Sequence, residues 1–358
     1  MTTPSTEQTA FAAATDGDDA DEPVSGGNGR APNGSAGDAG LSADSEPEVV
    51  EGSPPEPRSE GPLSWRLTGV IKTIRPHQWV KNVFVLAPVV FAKEIFDPLL
   101  LMRAVGAFGV FCLLAGAVYT INDLADVEAD REHPVKRFRP IAAGRVPVPA
   151  ARWLAVGLVT LALAGAAYGP PQFLAVALAY FLMNLAYSFK LKHVAYVDVS
   201  IISAGFVLRV MGGGYGTRIQ VSVYLLVCTA LLALFLGFGK RRHELALAKA
   251  GFGKTRAALE SYTQRGIDTA LIVTAIATIV TYFIYTLDPR TRAFFHSDWL
   301  FVSTGFVVLG VLRFLHLVRA RPKAESPTQE MLKDGPFVGI VLGWVILVMW
   351  MVYNLRPG

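Results

Sequence analysis

The chain's most chemically loaded stretch is Asn122-Asp123-Leu124-Ala125-Asp126-Val127-Glu128-Ala129-Asp130, which directly follows Ala104 to Ile121, a run with no charged residue. Asn122, Asp126 and Asp130 recur every fourth residue, so on a helix they fall within about 80° of one face. Asp123 sits beside that stripe. Unpaired carboxylates at the end of an apolar helix are costly. A hard cation such as Mg2+ removes the cost, because it takes one or two carboxylates and shares itself with substrate phosphates. An acidic helix end solvated in water, paired to Arg131 or Arg137, is the plainer reading, but there the carboxylates would oppose the helix dipole. Lys136, Arg137 and Arg139 follow within nine residues of Asp130. Acid for a metal and then base for phosphate is the order that a magnesium–diphosphate site requires. A loop made basic only to fix membrane topology would explain the cations, but not their adjacency to the acids.

Further candidates lie elsewhere along the chain. Arg75 and Lys81 flank Pro76-His77-Gln78-Trp79-Val80. Tyr187, Lys190, Lys192 and Asp198 cluster between two apolar runs, and Lys240 and Arg241 open a long polar loop. Arg209 falls about eleven residues into an apolar run, near the middle of a bilayer, where an ionisable residue is a functional candidate by default. A structural pairing of Arg209 with a carboxylate or carbonyls is an equal reading. His243 and Glu244 lack the partners a metal site needs. Cys112 and Cys228 lie inside apolar runs and read as small apolar residues. No phosphate-binding glycine loop of the ATPase type occurs.

The elements that must hold these residues are membrane helices. The 358 residues are 52% hydrophobic and 17% charged, where soluble domains carry about 25% charge. Nine apolar stretches suit a bilayer core: 82–99, 101–121, 151–168, 171–189, 196–215, 221–239, 267–287, 298–317 and 336–354. With the N-terminus cytoplasmic, inward-facing loops carry 19 lysines and arginines and the opposite side 6, as the positive-inside rule asks. Residues 1–60 hold 13 acidic and 2 basic residues, with much Gly, Pro and Ser. They read as a disordered acidic tail, preceding a transmembrane catalytic domain over 61–358. Without the tail, 31 basic residues face 16 acidic ones, which suits anionic lipid or an anionic substrate.

The run Asn-Asp-x-x-Asp-x-x-x-Asp followed by Arg139-Pro140-x-x-x-Gly144 resembles the first signature of UbiA-type intramembrane prenyltransferases. That resemblance covers roughly residues 72 to 355. It implies an all-α fold of nine transmembrane helices around a central cavity, capped by cytoplasmic loops and open laterally to lipid. The family's second signature usually holds a second Asp-x-x-x-Asp. Here it reads Tyr187-Ser188-Phe189-Lys190-Leu191-Lys192, then Asp198, with Ile202 where the second carboxylate would stand. Two acidic motifs suit metal ions that grip a prenyl diphosphate from both sides. One full motif, a lone Asp and extra cations suit a different division, with the diphosphate on the first motif and a second anion on Lys and Arg.

Arg75-Pro76-His77-Gln78-Trp79-Val80-Lys81-Asn82, with Lys136-Arg137-Phe138-Arg139-Pro140, is similar to one branch of that superfamily, the actinobacterial decaprenyl-phosphate phosphoribosyltransferases. The resemblance implies a multi-pass plasma-membrane enzyme with a cytoplasmic active site. It would transfer 5-phosphoribose from phosphoribosyl diphosphate to decaprenyl phosphate for cell-wall arabinan. Mg2+ would be the cofactor, and no nucleic acid would take part; homo-oligomerisation stays open. Asn122, Asp123, Asp126 and Asp130 are then the metal residues, and Asp126, Asp130 and Asp198 the catalytic ones. Arg75, Lys81, Lys136, Arg137, Arg139, Tyr187, Lys190, Lys192, Arg209, Lys240 and Arg241 are expected to bind the substrate anions. Two alternatives remain: a prenyltransferase acting on an aromatic acceptor, and a transporter of a phosphorylated solute. Cations gathered on one membrane face favour an enzyme over a transporter, which tends to place charge on broken helices at mid-membrane.

Overall fold

A computed structural model of the chain describes residues 61–249, 259, 261–320, 330, 331 and 333–354. The expected acidic tail lies outside the described residues, as do parts of the connections after Lys249 and after Ala320. Every regular element among the described residues is helical.

Among the described residues eight long helices carry the fold: α3 (Pro98–Ala125), α5 (Val148–Ala167), α6 (Pro171–Phe189), α7 (Val197–Thr217), α8 (Val223–Lys249), α9 (Gln264–Leu287), α11 (Ser303–Ala320) and α12 (Gly335–Asn354). Four short helices join them: α1 (Leu63–Ile74), α2 (Ala87–Phe91), α4 (Val127–Glu132) and α10 (Pro289–Phe295). Among the described residues, seven segments are long and apolar enough to cross a membrane, and α12 adds a shorter apolar stretch. Their outward faces stay apolar, with Val156, Leu161, Ile276 and Ile346 all exposed, as lipid contact requires.

The stretch expected as a first span over 82–99 is not one α-helix. Pro76–Leu86 is a 3-10 helix, α2 follows, and α3 begins only at Pro98. Pro76 and Pro88 bracket the segment and leave it short of main-chain donors. The rise of a 3-10 helix is about 2.0 Å per residue, so this segment with α2 spans roughly 30 Å, a bilayer core's thickness. Its contacts fit a crossing. Arg75 meets Asp123 at one end, and the Tyr353 hydroxyl donates to the Val90 carbonyl at the other.

Three residues per turn divide this segment into three faces. Asn82, Val85 and Pro88 are buried, with Trp79 and Pro76 on the same row; His77, Val80 and Val83 are exposed; Gln78, Lys81 and Phe84 make the third row. The buried row lies against α7. A Cβ on Gly213 would stand 1.9 Å from the Val85 carbonyl oxygen, so only glycine lets the two backbones meet. Close approach at Gly212-Gly213-Gly214 is the expected use of small residues between membrane helices.

Two apolar cores flank α7. One gathers Phe111 and Leu114 of α3, Ala162 and Ala166 of α5, and Phe173 and Tyr180 of α6 around Val85. The other joins Phe235 and Phe238 of α8, Ile267 and Leu271 of α9, and Phe314 of α11 around Val199. A helix of 28 residues is about 42 Å long, so α3 outruns the hydrocarbon and carries Asn122 and Asp123 beyond it. The 27 residues of α8 also outrun it, with Lys240 and Arg241 about 26 Å along, near the far edge of the hydrocarbon.

Candidate active site

The acidic stripe sits where α3 ends. Asp126 leaves helical geometry at φ −95° and ψ 6° and stands at the start of α4. The ladder nonetheless runs through the break: Asp126 N–H donates to the Asn122 carbonyl at 3.0 Å, and Asp130 N–H to the Asp126 carbonyl at 2.8 Å. The backbone ladder linking Asn122, Asp126 and Asp130 therefore continues across a kink.

Its members divide into two pairs. Asp123 and Asp130 are buried and held by arginines. Arg75 Nη2 donates to Asp123 Oδ1 at 2.6 Å, while Arg139 Nη1 reaches Asp130 Oδ2 at 2.7 Å and Asp123 Oδ1 at 3.3 Å. The sum of the last two distances, 6.0 Å, is the most that can separate those two carboxylate oxygens. Asn122 and Asp126 are half-buried, and their side chains meet no protein partner among the described residues. By contrast, the Glu128–Arg131 pair is solvent-facing, a geometry that contributes at most about 1 kcal/mol.

Apolar anchors place Arg139. Ile141 and Val146 are buried with Ala151 against Val70, Leu124 and Val127. Gly144 turns the loop at φ 71°, and Arg145 Nε donates to the Trp65 carbonyl at 2.7 Å. Helix α1 thus clamps the loop from above and ends at Arg75, itself at φ 52°. Lys136 and Arg137 occupy the 3-10 turn Lys136–Phe138 just before Arg139, with the Arg137 guanidinium over the Phe138 ring.

Magnesium fits this donor set. Among the described residues no three His, Cys, Asp or Glu gather closely enough to hold a metal alone. A free carboxylate and a free carboxamide one helical turn apart are nonetheless hard oxygen donors of the kind that binds magnesium together with a phosphate.

A second charged assembly forms around Asp198, in the first turn of α7. Its carboxylate accepts from Arg241 Nε at 2.7 Å and from the Tyr262 hydroxyl at 2.6 Å. Arg241 also pairs with Glu244. Both Asp198 and Arg241 are almost wholly buried, at 1% and 4% side-chain exposure. The Tyr262 hydroxyl in turn accepts the Tyr196 N–H at 2.7 Å. Tyr196 carries φ 65°, a conformation rare outside glycine, and follows the turn that bears Lys190 and Lys192. Burial and the Asp198 carboxylate push the Tyr262 phenol well above its ordinary pKa, so it stays a proton donor.

Arg209 lies deeper, within α7. Its Nε donates to Asn82 Oδ1 at 2.8 Å and its Nη2 to the Tyr180 hydroxyl at 2.7 Å, with the guanidinium over the Tyr180 and Phe206 rings. Asn82 Nδ2 donates onward to Cys112 Sγ at 3.3 Å. Lys81 lies near enough to feel both Arg209 and Lys240. Tyr187 lies close to Arg241. Among the candidates, then, Arg75 and Arg139 join the acidic stripe, Lys81 lies in the field of Arg209 and of Lys240, which pairs with Glu244 at 4.0 Å, and Asp198 and Arg241 pair with each other.

The model describing the UbiA prenyltransferase family matches residues 83–333. The chain belongs to that family. A decaprenyl-phosphate phosphoribosyltransferase of Mycobacterium tuberculosis is 39% identical over 286 residues, which is 79% of this chain and 93% of that protein. Its namesake in Corynebacterium glutamicum is 36% identical over 290 residues, 80% of this chain and 87% of the relative. Among solved structures, a UbiA homolog from Archaeoglobus fulgidus bound to DMAPP and Mg2+ superposes with a TM-score of 0.58 at 19% identity, covering 80% of this chain and 99% of that one. At that identity the likeness speaks for the UbiA fold. The site contains residues that sequence reasoning did not single out: Asn82, Tyr180 and Tyr262. Asn82 and Tyr180 are separated from Arg209 by 127 and 29 positions, so no local spacing announces them. The three-residue period of Trp79, Asn82 and Val85 between two prolines was the available signal for the first.

Proposed function

We propose that the protein is a magnesium-dependent transferase that moves 5-phosphoribose from phosphoribosyl diphosphate to a polyprenyl phosphate and releases diphosphate. The reading carries the acidic stripe as the diphosphate site, at the cytoplasmic end of a multi-pass plasma-membrane protein. Its catalytic domain would be residues 61–358. The observation that carries it is the division within the stripe: Asn122 and Asp126 have no side-chain partner among the described residues, while Arg75 and Arg139 hold the two flanking carboxylates. The names of the actinobacterial relatives support the substrates. So does Ile202 in place of the second acidic motif's carboxylate.

Asn122 and Asp126 would hold the metal, with Asp123 and Asp130 beside them; when bound, magnesium draws charge from the departing diphosphate. Arg75 and Arg139 fix the carboxylates and present positive charge at the same mouth. The reaction breaks the bond from ribose C1 to the diphosphate oxygen and forms one from C1 to the lipid phosphate oxygen. Positive character develops at C1 on the way, as at other glycosyl centres. The lipid phosphate is already ionised at pH 7, so it needs position more than a general base. Lys81, Arg209 and Lys240 supply a cationic wall for the second anion, with Lys136, Arg137, Lys190 and Lys192 at the rim. Asp198 acts through Arg241 and Tyr262 by fixing the Lys190–Lys192 turn.

Incubating purified protein with magnesium, ribose-labelled phosphoribosyl diphosphate and polyprenyl phosphate tests the proposal. Label should enter the organic phase only when magnesium is present. Consumption of a prenyl diphosphate with an aromatic acceptor, and no lipid-linked label, would refute it.

A further inference from the structure

The inward row of the 3-10 segment is Pro76, Trp79, Asn82, Val85 and Pro88, and all but one of its side chains have a clear structural use. Asn82 bridges Arg209 and Cys112. Val85 packs in the core. The prolines bracket the segment. Trp79 is different: its indole Nε1 is shut off from the surface and finds no acceptor among the described residues. Buried indole N–H groups usually have a partner, and a buried donor without one calls for a specific explanation.

The surroundings supply one. Trp79 lies between Arg75, four residues earlier at the acidic stripe, and Asn82, one 3-10 turn later at Arg209. Lys81, two residues on, feels Arg209 and Lys240. This stretch is rich in donors and cations, and the carboxylates that meet Arg75 and Arg139, Asp123 and Asp130, are already taken by those arginines. The species that would satisfy an indole donor there is an anionic oxygen that arrives with the substrate.

We propose that Trp79 binds substrate, its indole N–H donating to a phosphoryl oxygen held between Arg75 and Arg209. This rests on the transferase reading above and adds to it a neutral donor. An indole cannot form an ion pair with Asp123 or Asp130, so it stays available where another lysine would be drawn to those carboxylates. Its role is orientation of the anion, while the neighbouring cations supply the attraction. Both substrates carry phosphoryl oxygens, and kinetics separate them.

Trp79→Phe keeps an aromatic ring and removes the N–H. In the full-length protein in detergent, its KM for either phosphoribosyl diphosphate or polyprenyl phosphate should rise about tenfold or more, as loss of a hydrogen bond to a charged group implies. The other KM and the melting temperature should stay near wild type. The KM that moves identifies the phosphate. Both KM values unchanged, or a loss that merely follows a fall in melting temperature, would overturn the proposal.

A second measurement needs no variant and no turnover. Protein labelled with 15N at the indoles of its six tryptophans is titrated with magnesium and inorganic diphosphate, and separately with polyprenyl phosphate. One indole N–H resonance should move downfield with one of these anions. No movement with either anion, when calorimetry shows both bound, would sink the assignment to Trp79. Binding with the resonance shift but without phosphoribosyl transfer would leave Trp79 in place and remove the transferase reading instead.

Discussion

Two carboxylate–arginine assemblies stand near the same end of the molecule, and they differ in how firmly they are closed. At the first, Arg75 and Arg139 keep about a quarter of their side-chain surface in contact with solvent. Asp126 and Asn122 beside them have no side-chain partner among the described residues. At the second, Arg241 and Asp198 are sealed, and a phenol and a second carboxylate complete the network. An open pair can exchange its partners for a ligand at modest cost, because water still screens the charges. A sealed pair cannot, since either ion left alone would be buried without compensation. On the proposed reading, similar residues in sequence would serve two purposes: the first assembly would receive an anion with its metal, and the second would fix the frame around it.

The sharpest way to break the comparison is to open the sealed pair. Asp198→Ala should cost about 3–5 kcal/mol of stability, read as a lower melting temperature in detergent. Replacing Arg241 with Met in that background should recover much of the loss, because an apolar substitute removes the stranded charge. At the open site the pattern reverses. Asp126→Ala should lower kcat by roughly 10²–10³, the size seen when one transition-state electrostatic contact is lost, with the melting temperature near wild type. Between the two lies the contact that carries the 3-10 segment. Gly213→Ala drives a methyl into the Val85 carbonyl and should cost about 1–3 kcal/mol as an overpacked contact, with activity falling alongside because Asn82 and Trp79 shift with the segment. The smallest effect belongs to Tyr262→Phe, about 1–2 kcal/mol for hydrogen bonds removed from a buried group. Since the phenol's pKa is raised on folding, its contribution is complete below the unfolded value of about 10. It is lost only as pH rises through the higher folded value. The variant's deficit should therefore be the same at pH 6 and pH 9 in thermal melts.

How much of this was legible in the sequence follows from the range of each interaction. The stripe from Asn122 to Asp130 is local, and a four-residue period reveals it. Seven spans and the apolar α12 follow from hydropathy alone. The segment over 76–91 was harder, because its apolar content matches a membrane helix while its prolines and three-residue period make a 3-10 crossing. The sorting of cations was not legible. Arg139 follows the acidic stripe in sequence and Arg241 an apolar run ending in Lys240, and only the fold puts one beside a free carboxylate and the other in a closed network with Asp198, 43 positions away. Tyr262 was invisible for the same reason, since its partners lie 64 and 66 positions distant.

Calorimetric titration of phosphoribosyl diphosphate into the purified protein, with and without magnesium, tests the central claim most directly when wild type, Asp126→Ala and the Asp198→Ala, Arg241→Met double variant are measured together. The account predicts magnesium-dependent binding in the wild type, its loss in Asp126→Ala, and its retention in the double variant. Binding that ignores magnesium, or that survives in Asp126→Ala and vanishes in a folded double variant, would contradict it.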